Sequence, residues 1–195
     1  GLSVEIRRAL WTLVEMRRED DRRQRATAGA GHDAARAGAC RAWWAVRSEL
    51  QHALGAINSN FSIEVDAEWT RLASVLAASP TDVATMRAAH AEYAERTAAR
   101  CLLGPRWADA RSEVEWLVGR ALELPARVEA AANAAAAESA DLALEWRVAI
   151  RGSVGCLLHL LADDAAQDVG LVLLSLGFNG FYDAESGRMS RHDDG

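Results

Sequence analysis

Residues 41–76 read RAWWAVRSELQHALGAINSNFSIEVDAEWTRLASVL. Trp43, Val46, Leu50, Leu54, Ile57, Phe61, Val65, Trp69, Leu72 and Leu76 recur at steps of three or four. At 3.6 residues per turn this spacing gathers them on one face of a helix. Proline is absent before Pro80. The pattern therefore predicts a helix approaching 35 residues, roughly 50 Å at about 1.5 Å per residue. Asn58 and Asn60 fall inside the run, where a bend or a strand-like interruption is the alternative. So long and aromatic a helix is not stable alone in water and needs partner helices on both flanks.

The rest of the chain supplies them. Ile6, Leu10, Leu13 and Val14 mark a first helix whose apolar stripe fades by Arg17 into EMRREDDRRQR, where charges of opposite sign pair at helical spacing on a solvated end. ATAGAGHDAARAG, residues 26–38, is small and glycine-rich and reads as a loop. After the central element, Ser79, Pro80 and Asp82 read as a capping box opening a third helix that buries Val83, Met86, His90, Tyr93, Thr97 and Cys101. Gly104-Pro105 ends it, with glycine in the left-handed cap.

A fourth helix carries Trp107, Ala110, Val114, Leu117, Ala121 and Leu124, and Pro125 is expected to kink or break it. VEAAANAAAAESA fits a long exposed helix or a helical linker. Residues 142–162 form another amphipathic helix, and residues 169–176 a short aliphatic one in the core. The polar tail from Asp183 to Gly195 is expected to be disordered. The fold class is all-α: a bundle of about five to six helices, part of a larger helical domain.

Composition narrows the function. Half the residues are hydrophobic and only three are proline, a balance that favours packed helices. All 22 basic residues are Arg, which reflects codon bias rather than function. A formal charge of −6 and a pI near 5.4 argue against a nucleic-acid surface. Cys40, Cys101 and Cys156 are odd in number and widely spaced, so they suit a reducing compartment and small buried hydrophobes. No run of about 20 apolar residues is long enough to span a membrane. A chain that opens on Gly1 and is helical by Val4 is expected to be a fragment of a longer protein.

No catalytic constellation is legible. His32, His52, His90, His159 and His192 are scattered, without HExxH or CxxC, so no metal site is indicated. No phosphate-binding glycine loop and no GxSxG elbow is present. His52 and His90 lie on largely apolar faces, where a hydrogen-bonded core histidine outweighs a general base. The seven tryptophans follow helical spacing, so packing outweighs a ligand cage.

Four segments, in order, resemble the C-terminal region of the γ-tubulin complex proteins around their second grip motif. IRRALWTLVEMRRED is similar to the family's "framhLlrlKrve" helix, without its Lys. In RSELQHALGAINSNFSIEVDAEWTRL, residues Arg47, Leu50, His52, Asn58, Phe61, Val65, Trp69 and Leu72 fill the positions of a run that passes through "nLqyYi" to "eVie..W..L". SPTDVATMRAAHAEYAERTAARCLL is similar to "DvdeliaaHeeYLdsIlrrCLL", matching at Asp82, Ala89, His90, Tyr93, Cys101, Leu102 and Leu103. LLSLGFNGFY is similar to "LlfRLDFNeyY", matching at Leu176, Phe178, Asn179 and Tyr182, with Gly177 in place of Asp.

The resemblance implies that residues 1–182 are the C-terminal part of a helical γ-tubulin-binding domain. It implies a non-catalytic scaffold that presents γ-tubulin in a ring to template microtubule nucleation, without cofactor, nucleic acid or membrane. Its partners would be γ-tubulin and other complex components, and its place the cytoplasm and cytoskeleton, at a microtubule organising centre or spindle pole. Phe178, Asn179, Phe181 and Tyr182 follow the last helix and are the first candidates for partner binding; Arg47 and Arg87 are candidates for salt bridges to the partner. Two other readings compete: a small-ligand-binding helical domain of a regulator, and a generic helical interaction module. The order of the four segments favours the first.

Overall fold

The computed structural model describes residues 1–27, 34–78, 82–163 and Leu176. Within them the chain is all-α. The elements are α1 (Leu2–Thr27), α2 (Ala34–Ala78), α3 (Val83–Arg100), a 3-10 turn at Pro105–Trp107, α4 (Ala108–Ala132) and α5 (Ala136–Asp163). The central helix is longer than its apolar stripe. It runs for 45 residues, starts inside the glycine-rich segment, and passes through Asn58 and Asn60 without interruption.

α2 packs on α5 most extensively, then on α3, α1 and α4, and α4 packs in turn on α1 and α5. So α1, α2, α5 and α4 close a four-helix body in that cyclic order. Its core is built from the expected stripes: Ile6 and Leu13 from α1, Val46, Leu50, Leu54 and Ile57 from α2, Val114, Leu117 and Leu124 from α4, and Ile150, Val154 and Leu157 from α5. Leu176, helical and fully buried, belongs to the same core. Polar ties from α5 to both α2 and α4 help fix it within the body. Trp43 Nε1 donates to Ser139 Oγ at 3.1 Å while its ring meets Trp146 edge-on at 5.9 Å, and Ser153 donates to Glu113 Oε2 at 2.6 Å.

The charge-dense run is, as expected, a solvated helical end: α1 continues through it to Thr27 and carries Glu15–Arg18 and Glu19–Arg22 pairs. Several local expectations are corrected. α4 is not interrupted at Pro125; Leu117, Ala121 and Leu124 before it and Ala131 after it are buried, which holds both sides in one helix despite the lost hydrogen bond. The alanine-rich segment is neither one exposed helix nor a linker, because the chain turns at 133–135 between α4 and α5. The cap of α3 is Asp82 rather than Ser79. The left-handed residue after α3 is Leu102, at φ 59°, and not Gly104, whose φ is −71°. The aliphatic helix expected at 169–176, apart from Leu176, and the tail at 183–195 lie outside the described residues.

The largest correction concerns α3. Its expected apolar face is not buried: no residue from Val83 to Arg100 is buried, Val83 is 68% exposed and Met86 41%. α3 packs against the outer part of α2, and among the described residues no further helix packs extensively on α3, so a helical stripe that reads as core becomes surface. Trp69, at 57% exposure, follows the same logic.

Candidate partner-binding arm

The outer third of α2 and α3 form a two-helix arm on the four-helix body. Its helical propensity is local: α3 is alanine-rich, and Asp82 opens it from an extended conformation (φ −153°, ψ 159°). Asp82 Oδ1 accepts from the Thr85 backbone N–H at 2.6 Å, and Oδ2 from the Thr85 hydroxyl at 3.0 Å. These two bonds, the backbone one foremost, hold the Asp82 carboxyl below its ordinary value.

Along the seam between the two helices the buried positions of α2 change character. Up to Phe61 they are mostly apolar; after it they are Glu64, Glu68 and Leu72. Arg100 of α3 spans both carboxylates, donating from Nη1 to Glu64 Oε2 at 2.6 Å and lying with Nε 3.4 Å from Glu68 Oε1. Arg71 Nε stands 3.8 Å from Glu68 Oε2. At the root, burial foremost and the Glu64 carboxylate second push the Cys101 thiol up to about 11.

Further out, the arm presents an apolar and aromatic surface. Trp69 of α2 and Tyr93 of α3 meet edge-on at 6.1 Å, and His90 lies against Tyr93 at 6.1 Å. Val75, Val83 and Met86 are exposed toward the tip, and Arg87 is exposed on α3. Exposed aromatics, methionine and arginine on a projecting element are the side chains that anchor protein interfaces.

The residues named from sequence fall differently. Arg87 lies on the arm. Arg47 does not: it is ion-paired with Asp20 of α1, its side chain only 13% exposed, so it ties α2 to the end of the charge-dense run. Phe178, Asn179, Phe181 and Tyr182 lie outside the described residues. His52 and His90 are exposed rather than core residues. Cys40 and Cys156 are exposed as well, leaving Cys101 as the buried thiol. Trp116 and Trp146 line a shallow, open pocket of about 280 Å³ with Arg120, whose guanidinium lies 5.1 and 5.2 Å from the two rings. Among the described residues no cluster of three or more His, Cys, Asp or Glu could hold a metal, and no helix is long and apolar enough to cross a membrane. The polar stripe Asn60, Glu64, Glu68 was missed, although its i, i+4, i+8 spacing is visible in the sequence.

Residues 4–182 match the family model for the gamma tubulin complex component C-terminal region. The chain belongs to this family. The match spans all five helices and the segment that contains FNGFY. Members of the gamma tubulin complex component family are structural parts of complexes. Comparison with curated proteins yields no match.

Proposed function

We propose that this chain is a non-catalytic scaffold that binds γ-tubulin and presents it within a ring complex to template microtubule nucleation. The observation that carries this reading is the family match across residues 4–182. Physically, the scaffold acts by pre-organisation. Each tubulin-like subunit recruited to a nucleus loses translational and rotational freedom worth roughly 4–15 kcal/mol. A protein that holds γ-tubulin beforehand, beside other complex components, removes that cost from the nucleation step. It works at the cytoskeleton, at a microtubule organising centre or spindle pole.

Two surfaces are assigned to γ-tubulin. One is the α2–α3 arm, with Trp69, Met86, Arg87 and Tyr93 as anchors; the other is the segment containing Phe178, Asn179, Phe181 and Tyr182. Together they suit an interface of about 1,600 Å² with a few aromatic and arginine anchors inside a polar rim. Arg47, held by Asp20, serves the fold in this reading.

The test is capture of γ-tubulin by the full-length protein, comparing wild type with Trp69→Ala/Arg87→Glu and with a version truncated before Leu171. Loss of capture by a variant that keeps its helical circular dichroism assigns binding to the altered surface. Undiminished capture by both variants moves the interface to the four-helix body. Failure of the wild type to capture γ-tubulin defeats the reading.

A further inference from the structure

We propose that α3 is a hinged arm, lifting from α2 as a unit while α1, α2, α4 and α5 stay packed. This stands on the seam itself and holds whether or not the arm is the γ-tubulin surface.

The first ground is what the seam lacks. No residue of α3 is buried, and beyond Phe61 the sole buried apolar residue of α2 is Leu72. Lifting α3 therefore exposes little apolar surface, the term that normally opposes opening.

The second ground is what the seam contains. Glu68 is 1% exposed, and its Oε1 has no hydrogen bond, Arg100 Nε being 3.4 Å away. Thr97 Oγ1 on α3 is likewise buried without a partner. Buried polar groups are nearly always satisfied, because leaving one unpaired forfeits its bonds to water. Here such atoms belong to both helices of one seam. On opening, those that reach water recover those bonds, so the closed arm is penalised and the open arm relieved.

The third ground is the hinge. Leu102, in the left-handed region at φ 59°, is fully buried, and Trp107 five residues on is 2% exposed. The chain is thus pinned to the body immediately after α3, and motion is confined to the helix before it. Opposing the opening are the Arg100 bridge to Glu64 and Glu68 and the Trp69–Tyr93 edge contact. The bridge trades readily for water, and the aromatic contact sits at the exposed edge. Together they make a latch rather than a core.

The experiment is hydrogen–deuterium exchange on the full-length protein, comparing α3 with α4 and with α2 residues 46–57. The α3 amides should exchange as one block, faster than the body by about a hundredfold or more. Thr97→Val, which removes the unpaired hydroxyl from the α3 side of the seam, should slow α3 by about tenfold and leave α4 unchanged. Tyr93→Ala, which removes the aromatic part of the latch at an exposed edge and leaves the Arg100 bridge, should speed α3 alone; it serves equally if Thr97→Val fails to fold. Exchange of α3 at the rate of α4, or a gradient of fraying from one end in place of a block, overturns the proposal. So does a Tyr93→Ala protein in which α3 and α4 change together.

Discussion

Glu49 of α2 accepts two hydrogen bonds on the same carboxylate oxygen, Oε1, from Arg147 of α5: from Nε at 2.9 Å and from Nη2 at 2.7 Å. Arg151, one turn further along α5, adds Nη2 to Oε1 at 2.8 Å and Nε to Oε2 at 3.2 Å. One carboxylate with 9% side-chain exposure thus serves two guanidinium groups at the most extensive helix pairing in the molecule. Glu49→Ala leaves both cations facing each other, and is expected to cost about 2–4 kcal/mol, moderated by the partial exposure of the two arginines. Replacing all three residues together by Leu, Met and Met should recover most of that loss, because no charge is then left uncompensated. Urea midpoints at constant m-value measure both effects. A Glu49→Ala protein with the wild-type midpoint would show that the triad contributes nothing net.

The Asp82 cap makes a prediction specific to α3. With its carboxyl held below its ordinary value by Thr85, the cap's contribution is present above the usual carboxylate pKa of 3.8 and is lost as pH falls through the lower folded value. The Thr85 amide resonance should therefore titrate with that depressed pKa in the wild type and lose this step in Asp82→Asn. Asparagine caps nearly as well as aspartate, so Asp82→Asn should keep α3 helical, whereas Asp82→Ala should fray its first turn. Equal fraying in both variants would mean that charge, rather than the hydrogen bond, makes the cap.

The four-helix body was legible because its signal is local and redundant. Ile6, Leu13, Leu50, Ile57, Leu117 and Leu124 each sit on a periodic stripe, and each is fully buried. The arm was not, since Val83, Met86 and Tyr93 form an equally good stripe and nothing in α3 records whether a second layer covers it. The ion pair that holds Arg47 within the fold was not legible for a related reason. The partner of Arg47, Asp20, lies 27 residues earlier, in a run whose charges seemed already paired among themselves. A pairing made only when two helices meet leaves no periodic trace in either one. The family resemblance, by contrast, was readable from ordered segments and is carried by the match over residues 4–182.

The end of α3 shows how burial can outweigh a local preference, and it gives a paired test. Gly104 is the obvious left-handed cap, yet its φ is −71°, and a Cβ there would meet Trp107 Cδ1 at an ordinary 3.8 Å. Gly104→Ala should be neutral or stabilise by up to about 1 kcal/mol, through the unfolded chain. Leu102 bears the positive φ instead, with a fully buried side chain. Leu102→Gly relieves about 1 kcal/mol of backbone strain but gives up about 2–5 kcal/mol of buried side chain, so a net loss is expected. Thermal unfolding of the two variants side by side reads the difference. The reverse order of stability would return the cap to Gly104.

Cys101 ties this root to pH. Its thiol is raised from 9.0 to about 11, by burial first and by the Glu64 carboxylate second. Below pH 9 both the folded and the unfolded chain keep the proton. Between about 9 and 11 the unfolded chain releases it while the folded chain holds it, so the unfolded state binds fewer protons and stability falls as pH rises. Cys101→Ala removes this contribution, and its unfolding free energy should decline less steeply than the wild type's across that window. The difference between the two proteins is the measurement, since it cancels the arginines and tyrosines common to both. Alkylation at pH 8 gives an independent check: exposed Cys40 and Cys156 should react first and Cys101 last. Identical pH slopes, or Cys101 reacting as fast as Cys40, would mean that the thiol meets water at the root of the arm.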